Sequence, residues 1–120
     1  MAIRKGLHYE DRARRFLQDR GLRLIEKNFR SRFGEIDLIM SDGDALCFVE
    51  VKYRESLDYG GAASTIPPSK RRKLIKTALF YLSRHRQYGQ RPARFDALLI
   101  QRDGDGRDEF EWIKNAFYAE

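Results

Sequence analysis

Two short apolar runs that carry charge at alternate positions constrain this chain most. Gly34-Glu35-Ile36-Asp37-Leu38-Ile39 and Phe48-Val49-Glu50-Val51-Lys52-Tyr53 are joined through Ser41-Asp42-Gly43-Asp44. That linker suits a tight turn needing positive φ, so Glu35 to Met40 and Ala45 to Arg54 read as a hairpin. Side chains alternate along a strand. Glu35, Asp37 and Ile39 then share one face, and Ile36, Leu38 and Met40 the other. In the second strand Phe48, Glu50, Lys52 and Arg54 share a face, opposite Cys47, Val49, Val51 and Tyr53. The charged residues fall on a single face of each strand, and the opposite faces are wholly apolar and predicted as core. Burying an unpaired charge costs several kcal/mol. Two carboxylates and an ammonium on adjoining strands therefore predict a built site for a divalent metal and a phosphate.

The flanking segments supply a frame for this hairpin. Leu7 to Arg20 reads as a helix stopped by Gly21, with Tyr9, Ala13, Phe16 and Leu17 on its inward stripe. Glu10 lies on that stripe too, three residues before Ala13 and seven before Leu17. Leu22 to Phe29 reads as a strand. Glu55 to Pro68, with Gly60-Gly61 and Pro67-Pro68, reads as a mobile loop that leaves directly from the Glu50–Lys52 strand and could cover the site. Ser69 to Tyr88 is a second helix ended by Gly89. Its inward stripe is Leu74, Ala78, Tyr81 and Leu82, supported by Ile75 and Leu79. Arg94 to Arg102 is a strand, Asp103-Gly104-Asp105-Gly106 a turn, and Phe110 to Phe117 a last short strand or an irregular tail. The predicted fold is α/β: helix, three antiparallel strands, a crossover helix, and a strand parallel to its partner in a mixed sheet.

The 120 residues are expected to form one domain. There are 24 Lys+Arg against 18 Asp+Glu, a net charge of +6 that favours a polyanionic partner, nucleic acid first. No acidic residue occurs from Tyr59 to Phe95. A merely solvated helix usually interleaves both signs, so the second helix is expected to face nucleic acid. Lys70, Arg71 and Lys73 are its leading candidates, with Arg54 as a further phosphate contact. The single cysteine, Cys47, rules out an internal disulfide and suits a reducing cytoplasm, where it packs as a small hydrophobe. No apolar run approaches the length of a membrane span, and the first residues lack the apolar segment of a signal peptide.

Metal-assisted phosphodiester cleavage needs acids to fix a hard cation, an activated water, and positive charge to offset the phosphate. Asp37 and Glu50 supply two acids, the Val51 carbonyl another oxygen, and Glu10 a third acid from the helix. Lys52 would orient the water or stabilise the transition state. Residues two apart on a strand point the same way, ~7 Å apart, so Glu50 and Lys52 can reach two sides of one phosphate. The plainer alternatives are a surface ion-pair ladder across the hairpin and, for Glu10, a pairing with a nearby arginine. Glu35 reads as an extra ligand or, in preference, as a partner of Arg32 or Arg54. Asp96 is expected to hold Arg94 or Lys52 in place. His8 and His85 read as ordinary surface or packing residues, and Phe110 and Trp112 as core.

An Asp followed by Glu-x-Lys on the next strand, with a helical Glu upstream, resembles the PD-(D/E)xK nuclease core. The longer pattern, Gly34 to Ile39, Phe48 to Arg54 and Arg94-Phe95-Asp96, is similar to the small bacterial YraN-like family. Gly6, Glu10, Ala13, Asn28, Arg30, Lys70 and Ala78 extend the likeness over most of the chain. The resemblance implies a restriction-endonuclease-like fold shared with archaeal Holliday-junction resolvases. It places Asp37, Glu50 and Lys52 at catalytic positions and Glu10 where resolvases carry a helical acid. Ile36 stands where the motif's name has proline. The expected activity is Mg²⁺-dependent cleavage of DNA, with Mn²⁺ as a substitute and branched or otherwise non-B structures within its scope. The alternatives are a nuclease scaffold that grips DNA or a protein without turnover, and an RNA-processing nuclease. Pairing of two sites on one junction would make the chain a homodimer, although no sequence signal identifies an interface.

Overall fold

A computed structural model describes residues 5–54, 66–102 and 107–117. The predicted turn at 103–106 and most of the predicted loop at 55–68 lie outside the described residues. The elements are α1 (Lys5–Asp19), β1 (Arg23–Ser31), β2 (Gly34–Asp42), β3 (Ala45–Arg54), α2 (Pro68–Arg84), β4 (Ala93–Arg102) and β5 (Asp108–Phe117). The five strands form one sheet in the order β1-β2-β3-β4-β5. β1, β2 and β3 run antiparallel in sequence. α2 then carries the chain across so that β4 pairs parallel to β3. β5 returns antiparallel on β4 as a full strand. This α/β arrangement matches the expected one and is compatible with a restriction-endonuclease-like core.

Both faces of the sheet are core, because one helix covers each. Tyr9, Ala13 and Leu17 of α1 pack on Leu38, Met40, Cys47, Val49, Leu98 and Ile100. Leu74, Ala78 and Tyr81 of α2 pack on Ile36, Ile39, Phe48 and Ala97. The core extends beyond the wholly apolar faces: Ile39 and Phe48 share faces with the charged residues and lie buried under α2. Ile36 is also displaced from its expected face. It joins Ile39 beneath α2 instead of Leu38 and Met40 beneath α1. The strict alternation breaks at Asp37, opposite the left-handed Asn28 (φ 55) of β1. A bulge near Ile25 breaks the alternation a second time.

α2 begins at Pro68, not Ser69, because proline at the first helical position sacrifices no hydrogen bond. It ends at Arg84, where His85 leaves helical geometry, and Arg86–Tyr88 form a separate 3-10 turn. Leu79, expected inward, is 61% exposed; Thr77 is buried in its stead, donating to the Lys73 carbonyl at 2.8 Å. Gly34 (φ 146) is required where the β1–β2 hairpin meets this helix. A Cβ there would stand 3.2 Å from Thr77 Oγ1. No helix among the described residues is long and apolar enough to cross a membrane.

Asp96 fixes the far edge of the sheet. It is 1% exposed. It accepts from Arg94 Nε at 3.0 Å, Trp112 Nε1 at 3.0 Å and the Asn115 amide at 3.1 Å. Arg94 also donates to Asp42 at 2.8 Å, which ties the β2–β3 turn into the same network. Of the two partners expected for Asp96, Arg94 is the one engaged. Cys47 is buried, and that burial pushes its thiol up to about 12, as befits a packing residue. Asp96→Ala would leave the Trp112 and Asn115 donors without acceptors and Arg94 with Asp42 alone. We expect a loss of about 3 kcal/mol or more in urea unfolding; a loss below about 1 kcal/mol would show that this network does not hold β5.

Candidate functional site

The β2–β3 ladder runs from Asp42–Ala45 to Leu38–Val49. Just beyond that pair, the Val51 amide donates to Asp37 Oδ2 at 2.8 Å. A side chain thus takes up a strand amide at the point where the two strands part, and the carboxylate is anchored at the mouth of an opening. Glu50, adjacent on β3, is 4% exposed. Glu10 reaches the same opening from α1, and Lys52 from the end of β3. Together with Tyr9, Gly34, Glu35, Val51, Tyr53, Ser69, Lys70, Lys73 and Leu74 they line one cleft of about 480 Å³.

The electrostatics of the cleft follow from crowding three acids in a half-dry space. Asp37 interacts by hydrogen bond with both Glu50 and Glu10. Such a bond between carboxyl groups needs a proton on one of them. Burial first, then the hydrogen bond and charge of Glu50, push Asp37 up to about 9, against the opposing pull of the Val51 amide. Burial also raises Glu10 above the usual carboxylate range, despite hydrogen bonds from Asp37 and Asn28. Among the described residues, Glu10 Oε1 is buried with no hydrogen-bond partner.

Two lysines answer the acids in different ways. Burial alone would lower Lys70, but its ion pair with Glu50 Oε2 outweighs this and leaves it raised. Lys52 is lowered, by burial first and then by the charge of Lys70, with Glu50 pulling in the opposite sense. Lys52 therefore gives up its proton more readily than Lys70. The oxygen donors present fit a hard divalent cation in type. Asp37, Glu50 and Glu10 are the residues that could hold one. Among the described residues, however, no three acids meet the spacing of a ready-formed metal cage. In this state the Lys70 ammonium supplies the positive charge beside Glu50.

The sequence-predicted residues divide clearly. Asp37, Glu50, Lys52, Glu10 and Val51 come together, and Lys70 and Lys73 join them on the cleft wall. Arg71 does not: its Nε donates to the Ile66 carbonyl at 2.7 Å, and it lines a second cleft with Arg72 and Phe117. Arg54 closes β3, near enough to bear on the charge of Lys52. Glu35 pairs with Arg30 at 3.2 Å instead of the expected Arg32 or Arg54, because Arg30 faces it directly across β1–β2. His85 stacks on Tyr81 and is a packing residue, as expected. Asn28 is a site residue that strand propensity and periodicity miss. Its left-handed backbone and its contact with Glu10 are tertiary features, and only the family resemblance marks it in the sequence. Tyr9 and Tyr53, stacked with ring centroids 3.7 Å apart, form a cleft wall that periodicity assigned only to packing.

A model of an uncharacterised protein family, UPF0102, matches residues 9–100, from the cleft-facing turn of α1 through most of β4. The chain belongs to UPF0102. A UPF0102 protein of Nitrosomonas europaea is 51% identical over 94% of this chain and 92% of its own length. One from Coxiella burnetii is 47% identical and one from Alcanivorax borkumensis 43%, each over 96% of this chain and 92% of the relative. The YraN-like likeness read from the motifs is thereby borne out. The UPF0102 match includes every acid and lysine of the cleft.

The raised carboxyl groups carry a consequence for stability. In the unfolded chain Asp37 ionises near ~3.9. Its contribution to stability is thus fully present below that pH and is lost as pH rises through about 9. Without metal, unfolding free energy should fall between pH 5 and 9. Asp37→Asn cannot ionise and keeps an acceptor for Val51. It should flatten that slope and gain at least about 1 kcal/mol at pH 8, one pKa unit being worth about 1.36 kcal/mol. Chemical denaturation in EDTA across this range checks it; parallel slopes for the two proteins would refute it.

Proposed function

We propose that the cleft hydrolyses phosphodiester bonds in DNA with a divalent cation, Mg²⁺ or Mn²⁺. The convergence of Asp37, Glu50, Glu10 and Lys52 in one lysine-rimmed cleft supports this reading most strongly. When bound, the cation supplies an activated water and a counter-charge for the phosphate. Asp37, Glu50 and Glu10 would provide the oxygens to hold it, and Val51, which lines the same cleft, would add its carbonyl. Lys52, its pKa lowered, orients the attacking water and offsets the charge developing on the phosphate. Lys73 receives the flanking backbone at the rim. The acid-free stretch from Tyr59 to Phe95 gives that backbone a positive bed.

The ion pair of Lys70 with Glu50 favours a second reading, in which the scaffold grips DNA and does not turn over. A cleavage panel of single-stranded, duplex, flapped and four-way DNA with Mg²⁺ or Mn²⁺ separates the two. The catalytic reading expects cutting that falls by at least ~100-fold in Glu50→Ala and Lys52→Ala. An absence of cutting, or cutting unchanged in both variants, would sink it. Calorimetric uptake of Mn²⁺ that Asp37→Ala abolishes is the accompanying expectation. Salt-sensitive DNA binding without metal uptake would instead support the gripping scaffold.

A further inference from the structure

Outside the cleft, two partly buried phenylalanines meet on one face, and Leu79 is exposed on α2. Phe33 sits in the turn of the β1–β2 hairpin, and Phe80 and Leu79 lie on α2. Phe33 and Phe80 are only partly buried, and none of the three belongs to either core cluster. The two rings approach with centroids 5.8 Å apart and planes 60° apart. The Arg32 guanidinium stands 4.9 Å from the Phe33 ring and the Arg84 guanidinium 5.0 Å from the Phe80 ring.

This face is continuous with the acid cleft. Residues 73, 76, 80 and 84 follow helical spacing and form one stripe of α2. Lys73 lines the cleft at one end of that stripe, and Arg84 lies eleven residues on, roughly 16 Å along the helix axis. Gly34, which also lines the cleft, carries the hairpin tip against Lys73 and Thr77. Lys73, Lys76, Arg32 and Arg84 are exposed, and none pairs with a carboxylate among the described residues. The stripe therefore reads lysine, lysine, ring, arginine, and a second ring with its arginine is set beside it.

Cations interleaved with part-exposed rings are what unpaired nucleotides require: charge for each phosphate and a π face for each base. Duplex DNA hides its base faces and gains nothing from the rings. We propose that the hairpin tip and the outer stripe of α2 hold an unpaired DNA strand leading out of the cleft, with bases stacked on Phe33 and Phe80. The proposal rests on the DNA-cleaving reading and narrows its substrate to DNA with a single-stranded segment beside the scissile phosphate.

The test is fluorescence anisotropy of the full chain in EDTA, where no cutting occurs. Labelled probes are a single-stranded oligodeoxynucleotide, the same sequence as RNA, and a blunt duplex. Phe33→Ala and Phe80→Ala should each weaken single-strand DNA binding at least about fivefold and leave duplex binding within about twofold. Phe33→Leu and Phe80→Leu keep the apolar contact between hairpin and helix and should show the same selective loss without a fall in Tm. Equal losses on single strand and duplex, no loss in the Leu variants, or tighter binding of RNA than of DNA would each overturn the proposal. Nucleic acid that fails to bind in any form would overturn the DNA-cleaving reading as well and leave the face to a protein. Intact duplex cutting with single-strand binding unchanged in all four variants would overturn this inference alone.

Discussion

The Asp37 carboxylate on the Val51 amide is the contact on which the rest of the molecule turns. It lies beyond the last β2–β3 pair, so a side chain does there what a backbone carbonyl does along the ladder. That substitution lets the strands separate without abandoning a strand amide. The gap between them becomes the cleft. One carboxylate oxygen is committed to structure, and the group is still presented to Glu50 and Glu10. The site is therefore placed by the sheet itself.

The helices complete what the sheet begins. α1 covers one face with Tyr9, Ala13 and Leu17, and this docking brings Glu10, next in the chain after Tyr9, to the edge of the core. α2 covers the other with Leu74, Ala78 and Tyr81, and it brings Lys70 and Lys73 to the opposite wall. Acid and base thus arrive from different layers. Packing the two helices concentrates negative charge at the floor of the cleft and positive charge at its rim. The arrangement is unfavourable for the isolated carboxylates, as the upward shifts of Asp37 and Glu10 show.

Much of this was legible in the sequence where a single periodicity governed. β3 occupies Ala45–Arg54 as read from alternation and turn chemistry, and the inward position of Glu10 follows from helical spacing. The parallel crossover followed from a helix placed between two strands. Legibility failed where the backbone departs from regularity. Ile36 changes face because of the break at Asp37 and Asn28, and no local preference encodes that break. β5 was ambiguous because its apolar residues are few, and Asp96 holds it through contacts distant in sequence. The basic run beginning at Lys70 looked uniform in one dimension. On the helix it divides, with Lys70 and Lys73 turned to the acids and Arg71 turned away.

The irregularities at the two margins of the sheet have a consequence of their own. β1 and β5 are its edges. β1 carries a bulge near Ile25 and a left-handed Asn28, and β5 a register shift and a left-handed Asn115. Exposed charges line both, among them Arg23, Lys27 and Arg30 on one and Glu109, Glu111 and Lys114 on the other. Kinked, charged edges are poor templates for a further strand. The sheet is thus closed to growth at five strands without being rolled into a barrel. Among the described residues, the two edges offer no flat, regular ladder for a further strand to extend.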